Sequence, residues 1–65
     1  MTAAAYAALP TSVLQERLAA AQQMRQQLAG EGRATSGDYA AASSHVQTIA
    51  AVLRERGITP DLWPT

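Results

Sequence analysis

The stretch GDYAAASSHVQTIAAVLRERG, residues 37–57, decides the fold because it carries the start, the seam and the end of a helix. Thr35 and Ser36, just before this stretch, are N-cap candidates, and Asp38 in the first turn complements the positive end of the helix dipole. Apolar residues recur at alternating spacings of three and four, at Tyr39, Ala42, Val46, Ile49 and Leu53. Gly57 suits the left-handed position that ends a helix. The stretch predicts a helix over residues 37–56 that pairs with another helix along this seam.

A partner helix is predicted upstream, over about residues 12–29. Pro10 disfavours helix in the residue before it, and Thr11 and Ser12 follow as expected N-caps. The connection of about residues 30–36 is short, which favours two antiparallel neighbours. No strand pattern competes, so the sequence predicts an all-α, antiparallel two-helix hairpin with short N- and C-terminal tails. The expected hairpin core is Leu14, Leu18, Leu28, Tyr39, Val46, Ile49 and Leu53.

The two outer sides of this hairpin should differ, because equal angular offsets on two antiparallel helices fall on the same side. The expected apolar side, which is a predicted partner-binding surface, carries Val13, Met24, His45 and Val52. The opposite side is expected to be solvated and rich in glutamine, so that a charge at Gln22 or Gln47 should have little effect. An uncovered apolar side predicts a third layer, which either the tails or another chain would supply.

The two ends of the chain supply further candidates for that third layer. Residues 2–9 could form two turns of helix around Tyr6, although so short a helix is unstable alone. Leu62 and Trp63 are added to the predicted partner-binding residues because aromatic side chains are enriched at interface hot spots. A tail folded back onto its own hairpin is an equally open alternative.

Length and composition predict one marginally stable domain over residues 1–65. A chain of this size buries only about 60% of the surface that its unfolded form exposes. It has no cysteine, and its five acidic and five basic residues cancel, whereas nucleic acids and anionic membranes select clustered positive charge. No apolar run approaches a membrane span, and we expect a cytoplasmic protein with no membrane partner.

No residue pattern indicates catalysis, a cofactor or a metal. His45 is the only histidine, and no acidic residue lies at the helical spacing that a shared metal would need. Gly30, Gly32 and Gly37 match neither phosphate-loop pattern and are expected to join helices. Of these loop glycines, Gly32 is expected to tolerate substitution by valine better than Gly57, the predicted helix stop.

In layout, residues 11–56 resemble two families of small proteins. Tyr39, Ile49 and Leu53 resemble the early tyrosine and aliphatic seam of the two-helix co-chaperones that shield the needle subunit of type III secretion systems. The two-helix layout also resembles small head-tail joining proteins of tailed phages, although those usually place a β-hairpin in a longer connection than residues 30–36. These are resemblances of layout without a shared motif, and they imply a bacterial or phage origin.

The function expected from these features is non-enzymatic. The chain should be an adaptor, co-chaperone or assembly subunit that docks an apolar hairpin face on a protein partner or on a second copy. The alternative is a small regulatory nucleic-acid-binding protein, which helix 37–56 supports poorly because its outer residues are mostly serine, glutamine and threonine. No small-molecule substrate is expected.

Overall fold

A computed structural model describes residues 3–63 of the chain, so residues 1–2 and 64–65 lie outside it. It contains three helices, α1 (Ala3–Ala7), α2 (Thr11–Gly30) and α3 (Gly37–Glu55). The two long helices pack against each other, and α1 packs against α3. Residues 3–63 form no strand, which confirms the all-α prediction. None of the described helices has the length and apolarity needed to cross a bilayer.

The start of α2 differs from the sequence prediction. Pro10 is the N-cap, with an extended backbone at φ −61° and ψ 151°, and its carbonyl accepts the amide hydrogen of Leu14 at 3.1 Å. The expected side-chain caps are wrong, because no side chain caps this end. The reason is that an N-cap needs only a non-helical backbone and a free carbonyl, and proline supplies both. Thr11 is therefore already helical.

The start of α3 matches one of the caps expected from the sequence. Ser36 is extended, and its Oγ accepts the amide hydrogen of Tyr39 at 3.2 Å. Asp38 lies in the first turn, where its charge favours the helix dipole. It also pairs with Arg33 at 3.2 Å, but both side chains are exposed and such a pair contributes little.

The end of α3 is a complete Schellman motif. Gly57 takes a left-handed backbone at φ 76°, and its amide donates to the carbonyl of Arg54 at 3.0 Å. The amide of Ile58 donates to the carbonyl of Leu53 at 3.0 Å. Ile58 also packs against the hydrophobic core, the apolar contact that often accompanies this motif. The predicted stop at Gly57 is thus where the helix ends.

The end of α2 repeats the same motif. Gly32 also takes φ 76°, and its amide donates to the carbonyl of Ala29 at 3.1 Å. The amide of Arg33 donates to the carbonyl of Leu28 at 2.8 Å. The expectation that Gly32 is the more tolerant glycine is therefore wrong, since a side chain at either glycine meets the same left-handed backbone.

The core lies at the end of the molecule where α1, the start of α2 and the end of α3 meet. Its buried cluster comprises Tyr6, Leu14, Leu18, Val46, Ile49, Val52 and Leu53. Leu28 and Ala42 are buried nearer the 31–36 connection, outside that cluster. Tyr39, which was expected in the hairpin core, is half-buried because it lies in the first turn of α3, at the edge of the packed surface.

Candidate protein-interaction surfaces

Helix α1 covers one end of the expected apolar side. Val52 is 5% exposed and belongs to the same buried cluster as Tyr6. The Tyr6 hydroxyl shares a hydrogen bond of 2.7 Å with Nδ1 of His45. The two rings meet edge to face with their centroids 6.2 Å apart. Tyr6 therefore supplies both the apolar contact and the polar contact that hold α1 on α3.

Arg56 fixes the segment that joins α1 to α2. Its guanidinium donates hydrogen bonds to the carbonyls of Ala7 and Leu9, at 2.8 and 2.6 Å. A third hydrogen bond goes to Oγ1 of Thr11 at 3.0 Å. Because Arg56 follows the last residue of α3, these contacts tie the end of α3 to the start of α2.

The other end of the apolar side remains open. Met24 is 54% exposed, and Ala20, one turn earlier on α2, is also exposed. Beside them lies a shallow depression of about 260 Å³, lined by Tyr6, Arg17, Ala20, Ala21, His45 and Ile49. The side chains at i and i+4 of a helix share a face, so Met24 continues the surface that Ala20 begins. We call Ala20, Met24, His45 and this depression the open surface.

The opposite side is covered by residues 58–63, which we call the C-terminal segment. Nε2 of Gln22 donates to the carbonyl of Asp61 at 2.9 Å, and Oε1 of Gln22 accepts the amide hydrogen of Trp63 at 2.6 Å. Gln22 is only 1% exposed, and Pro60 is buried. The expectation of a solvated Gln22 is wrong, because its amide satisfies the backbone of an extended segment.

The predicted partner-binding residues do not form one surface. Val13 is half-buried, Val52 lies under α1, and Met24 and His45 are exposed. Leu62 and Trp63 line a depression together with Ala50. Ala50 and Val52 are two residues apart on α3, a rotation of about 200°, so they face opposite sides of the helix. Leu62 and Trp63 therefore belong to the side away from the open surface.

Sequence reasoning overlooked Gln22, and a signal for it was present. Leu14, Leu18 and Gln22 follow each other at intervals of four, so Gln22 continues the row of core leucines along α2. A glutamine in such a row must have partners for both ends of its amide. No comparable pattern in the sequence predicts the hydrogen bonds of Arg56, because its three partners are 45 to 49 residues away along the chain.

The described residues hold no group of three or more His, Asp or Glu side chains arranged to bind a metal ion. All buried side-chain nitrogen and oxygen atoms within residues 3–63 have hydrogen-bond partners. No protein-family model matches the chain, and neither a curated protein nor a solved structure does.

Proposed function

We propose that this chain is a non-enzymatic protein-interaction module, an antiparallel helical hairpin that docks through its open surface on a protein partner or on a second copy. The proposal depends on the difference in exposure between Val52 and Met24, which are both expected on the apolar side. Val52 is 5% exposed because α1 covers it, whereas Met24 is 54% exposed. The chain thus covers one end of this side and leaves the other end in solvent.

Two contacts support the antiparallel arrangement of α2 and α3. The connection of residues 31–36 is short, so the end of α2 lies near the start of α3. At the other end, Arg56 reaches Oγ1 of Thr11 at 3.0 Å. A short connection at one end and a hydrogen bond at the other favour an antiparallel arrangement.

The open surface has the shape and composition that protein docking requires. A single exposed apolar side chain is ordinary on a protein surface. Here Met24 adjoins an exposed alanine, Ala20, and a depression floored by Ile49. Small residues allow a partner backbone to approach, and the unbranched methionine side chain adapts to different partner shapes.

The test is a charge at Met24. Met24→Glu would place a carboxylate that must lose its water on docking, and association should weaken by at least about tenfold. The matched control is Gln23→Glu, at an exposed neighbouring position about 100° round the helix. Light scattering over a concentration series measures self-association, and a photo-crosslinker at Ala20 followed by mass spectrometry measures contact with a partner.

Two results would contradict the proposal. One is an unchanged association and crosslinking pattern in Met24→Glu. The other is an equal loss in Gln23→Glu, which would show that charge alone, and not its position, weakens binding. Far-UV circular dichroism of both variants checks that the helices remain folded.

Nucleic-acid binding stays the weaker alternative, because the net charge is zero and two of the five arginines already have partners within residues 3–63. Arg33 pairs with Asp38, and Arg56 donates to residues 7–11. Strongly salt-dependent retention of duplex DNA would favour this alternative, whereas a complex insensitive to salt would favour protein docking.

A cytoplasmic location is part of the proposed function as an interaction module, and it is tested by cell fractionation.

A further inference from the structure

A second depression, of about 280 Å³, lies between the long helices and the C-terminal segment. Its apolar lining comes from α3 and from the C-terminal segment, and two arginines complete it. The residues that matter for its chemistry are Arg25, Val46, Ala50, Arg54, Leu62 and Trp63. Trp63 is half-buried, and its backbone is held by Gln22, so one wall of the depression is fixed in place.

The charge of this depression is unbalanced. Arg25 and Arg54 are the only charged residues that line it, and no carboxylate does. Within residues 3–63, neither guanidinium forms an ion pair or a side-chain hydrogen bond. Arg54 lies in the last turn of α3, where its charge also favours the helix dipole. Arg25 lies in the interior of α2 and has no such role.

We propose that this depression docks a protein segment that carries a carboxylate side chain next to a large apolar side chain. Guanidinium groups bind carboxylates through short, charge-assisted hydrogen bonds, often in pairs. Val46, Ala50 and the Trp63 ring offer the apolar contact that an adjoining leucine-sized side chain would fill. The neutral net charge of the chain makes this pair of cations a local feature and not a consequence of overall charge.

The exposure of Leu62 decides between a protein segment and a small free acid. Leu62 lines the depression and is 45% exposed, so its apolar surface extends outward into solvent. A small acid would fill the depression and leave the outward part of Leu62 in solvent, whereas a longer chain would cover that part as well. The depression lies on the side of the helix pair away from Met24. Binding of a ligand there therefore does not require the open surface.

The experiment is a titration with the acetylated, amidated peptide LELEL and its uncharged counterpart LQLQL. Trp63 is the only tryptophan and lines this depression, so its fluorescence and its indole N–H signal respond to a ligand there, and the arginine variants below assign the response to this depression. We expect LELEL to bind saturably and LQLQL to bind about tenfold more weakly. The variant with both Arg25→Gln and Arg54→Gln should lose this preference, while Arg17→Gln, which removes an exposed arginine elsewhere on α2, should keep it.

Three outcomes would overturn the proposal. Equal binding of the two peptides would show that the arginines do not select a carboxylate. Binding of 4-methylpentanoate as tight as that of LELEL would identify a site for a small acid. Absence of any saturable change at Trp63 would show that the depression holds no ligand of this class. The peptide comparison uses the unaltered chain, so it decides the matter even if the double variant unfolds, and Met24→Glu should leave the titration unchanged.

Discussion

Replacing Gln22 by alanine should detach the C-terminal segment from the helix pair. The substitution removes both side-chain hydrogen bonds to the segment, the 2.9 Å bond to the Asp61 carbonyl and the 2.6 Å bond from the Trp63 amide. Each bond contributes about 1 kcal/mol net. Because the freed backbone of the segment can be hydrated, we expect the free energy of unfolding to fall by about 2 kcal/mol.

Gln22→Glu should lower the free energy of unfolding more than the alanine substitution does. The carboxylate can still accept from the Trp63 amide, but it has no N–H to give to the Asp61 carbonyl. Two oxygens would then face each other, and a charge would be buried at a position that is 1% exposed. This reverses the sequence expectation that a charge at Gln22 has little effect.

The assay is urea denaturation followed by two signals. Far-UV circular dichroism reports the helices, and fluorescence of Trp63, the only tryptophan, reports the C-terminal segment. The control is Gln26→Ala, the same substitution at an exposed position one turn further along α2. If Gln22→Ala leaves the Trp63 emission and the unfolding free energy as in Gln26→Ala, the buried amide does not hold the segment.

Four further substitutions test the two helix stops and the contacts of α1 by urea denaturation. Gly32→Ala and Gly57→Ala should each lower the free energy of unfolding by about 1 kcal/mol, because both glycines take φ 76° and no neighbouring atom lies within 4 Å of an added Cβ. Arg56→Gln removes three exposed hydrogen bonds to residues 7–11 that water can replace, so it should cost only about 1 kcal/mol in total and increase amide hydrogen exchange in α1. Tyr6→Phe should cost about 1 kcal/mol, because it removes the 2.7 Å bond to His45 and keeps the ring.

Each of these variants has a matched control within the chain. Gly37→Ala changes a glycine without a positive φ, and a cost equal to that at Gly57 would contradict the role of left-handed backbone. Arg17→Gln removes an exposed arginine that forms no ion pair with a described residue. Tyr39→Phe removes a half-buried hydroxyl that has no partner within residues 3–63, so it should be nearly neutral.

The helices could be predicted from the sequence because their signals are local. The serine at position 36, the glycine at position 57 and the apolar spacing of residues 39–53 each act within one or two turns. The predicted spans of 12–29 and 37–56 therefore differ from the observed helices by one residue at three ends and match at the fourth. The wrong cap prediction at the start of α2 is also local, because Pro10 caps the helix through its backbone and not through a side chain.

The positions of the two ends of the chain could not be predicted, since nothing local specifies them. Four of residues 3–7 are alanine and carry no pattern that selects a surface, whereas Tyr6 packs in the core and contacts His45, which lies 39 positions away along the chain. The C-terminal segment lies on the glutamine-rich side for the same kind of reason. A buried amide at Gln22 hydrogen-bonds to backbone atoms, and backbone atoms leave no signature in the sequence of the segment.

The placement of these two ends changes what the apolar pattern means. The expected apolar side runs the length of the helix pair, but α1 has only five helical residues and covers the Val52 end alone. A rise of 1.5 Å per residue gives α1 a length of about 7.5 Å, against about 30 Å for α2. No segment within residues 3–63 covers Met24, and the C-terminal segment lies on the other side. An apolar element placed beside α1 would cover Met24, and under the proposed function a protein partner or a second copy supplies it.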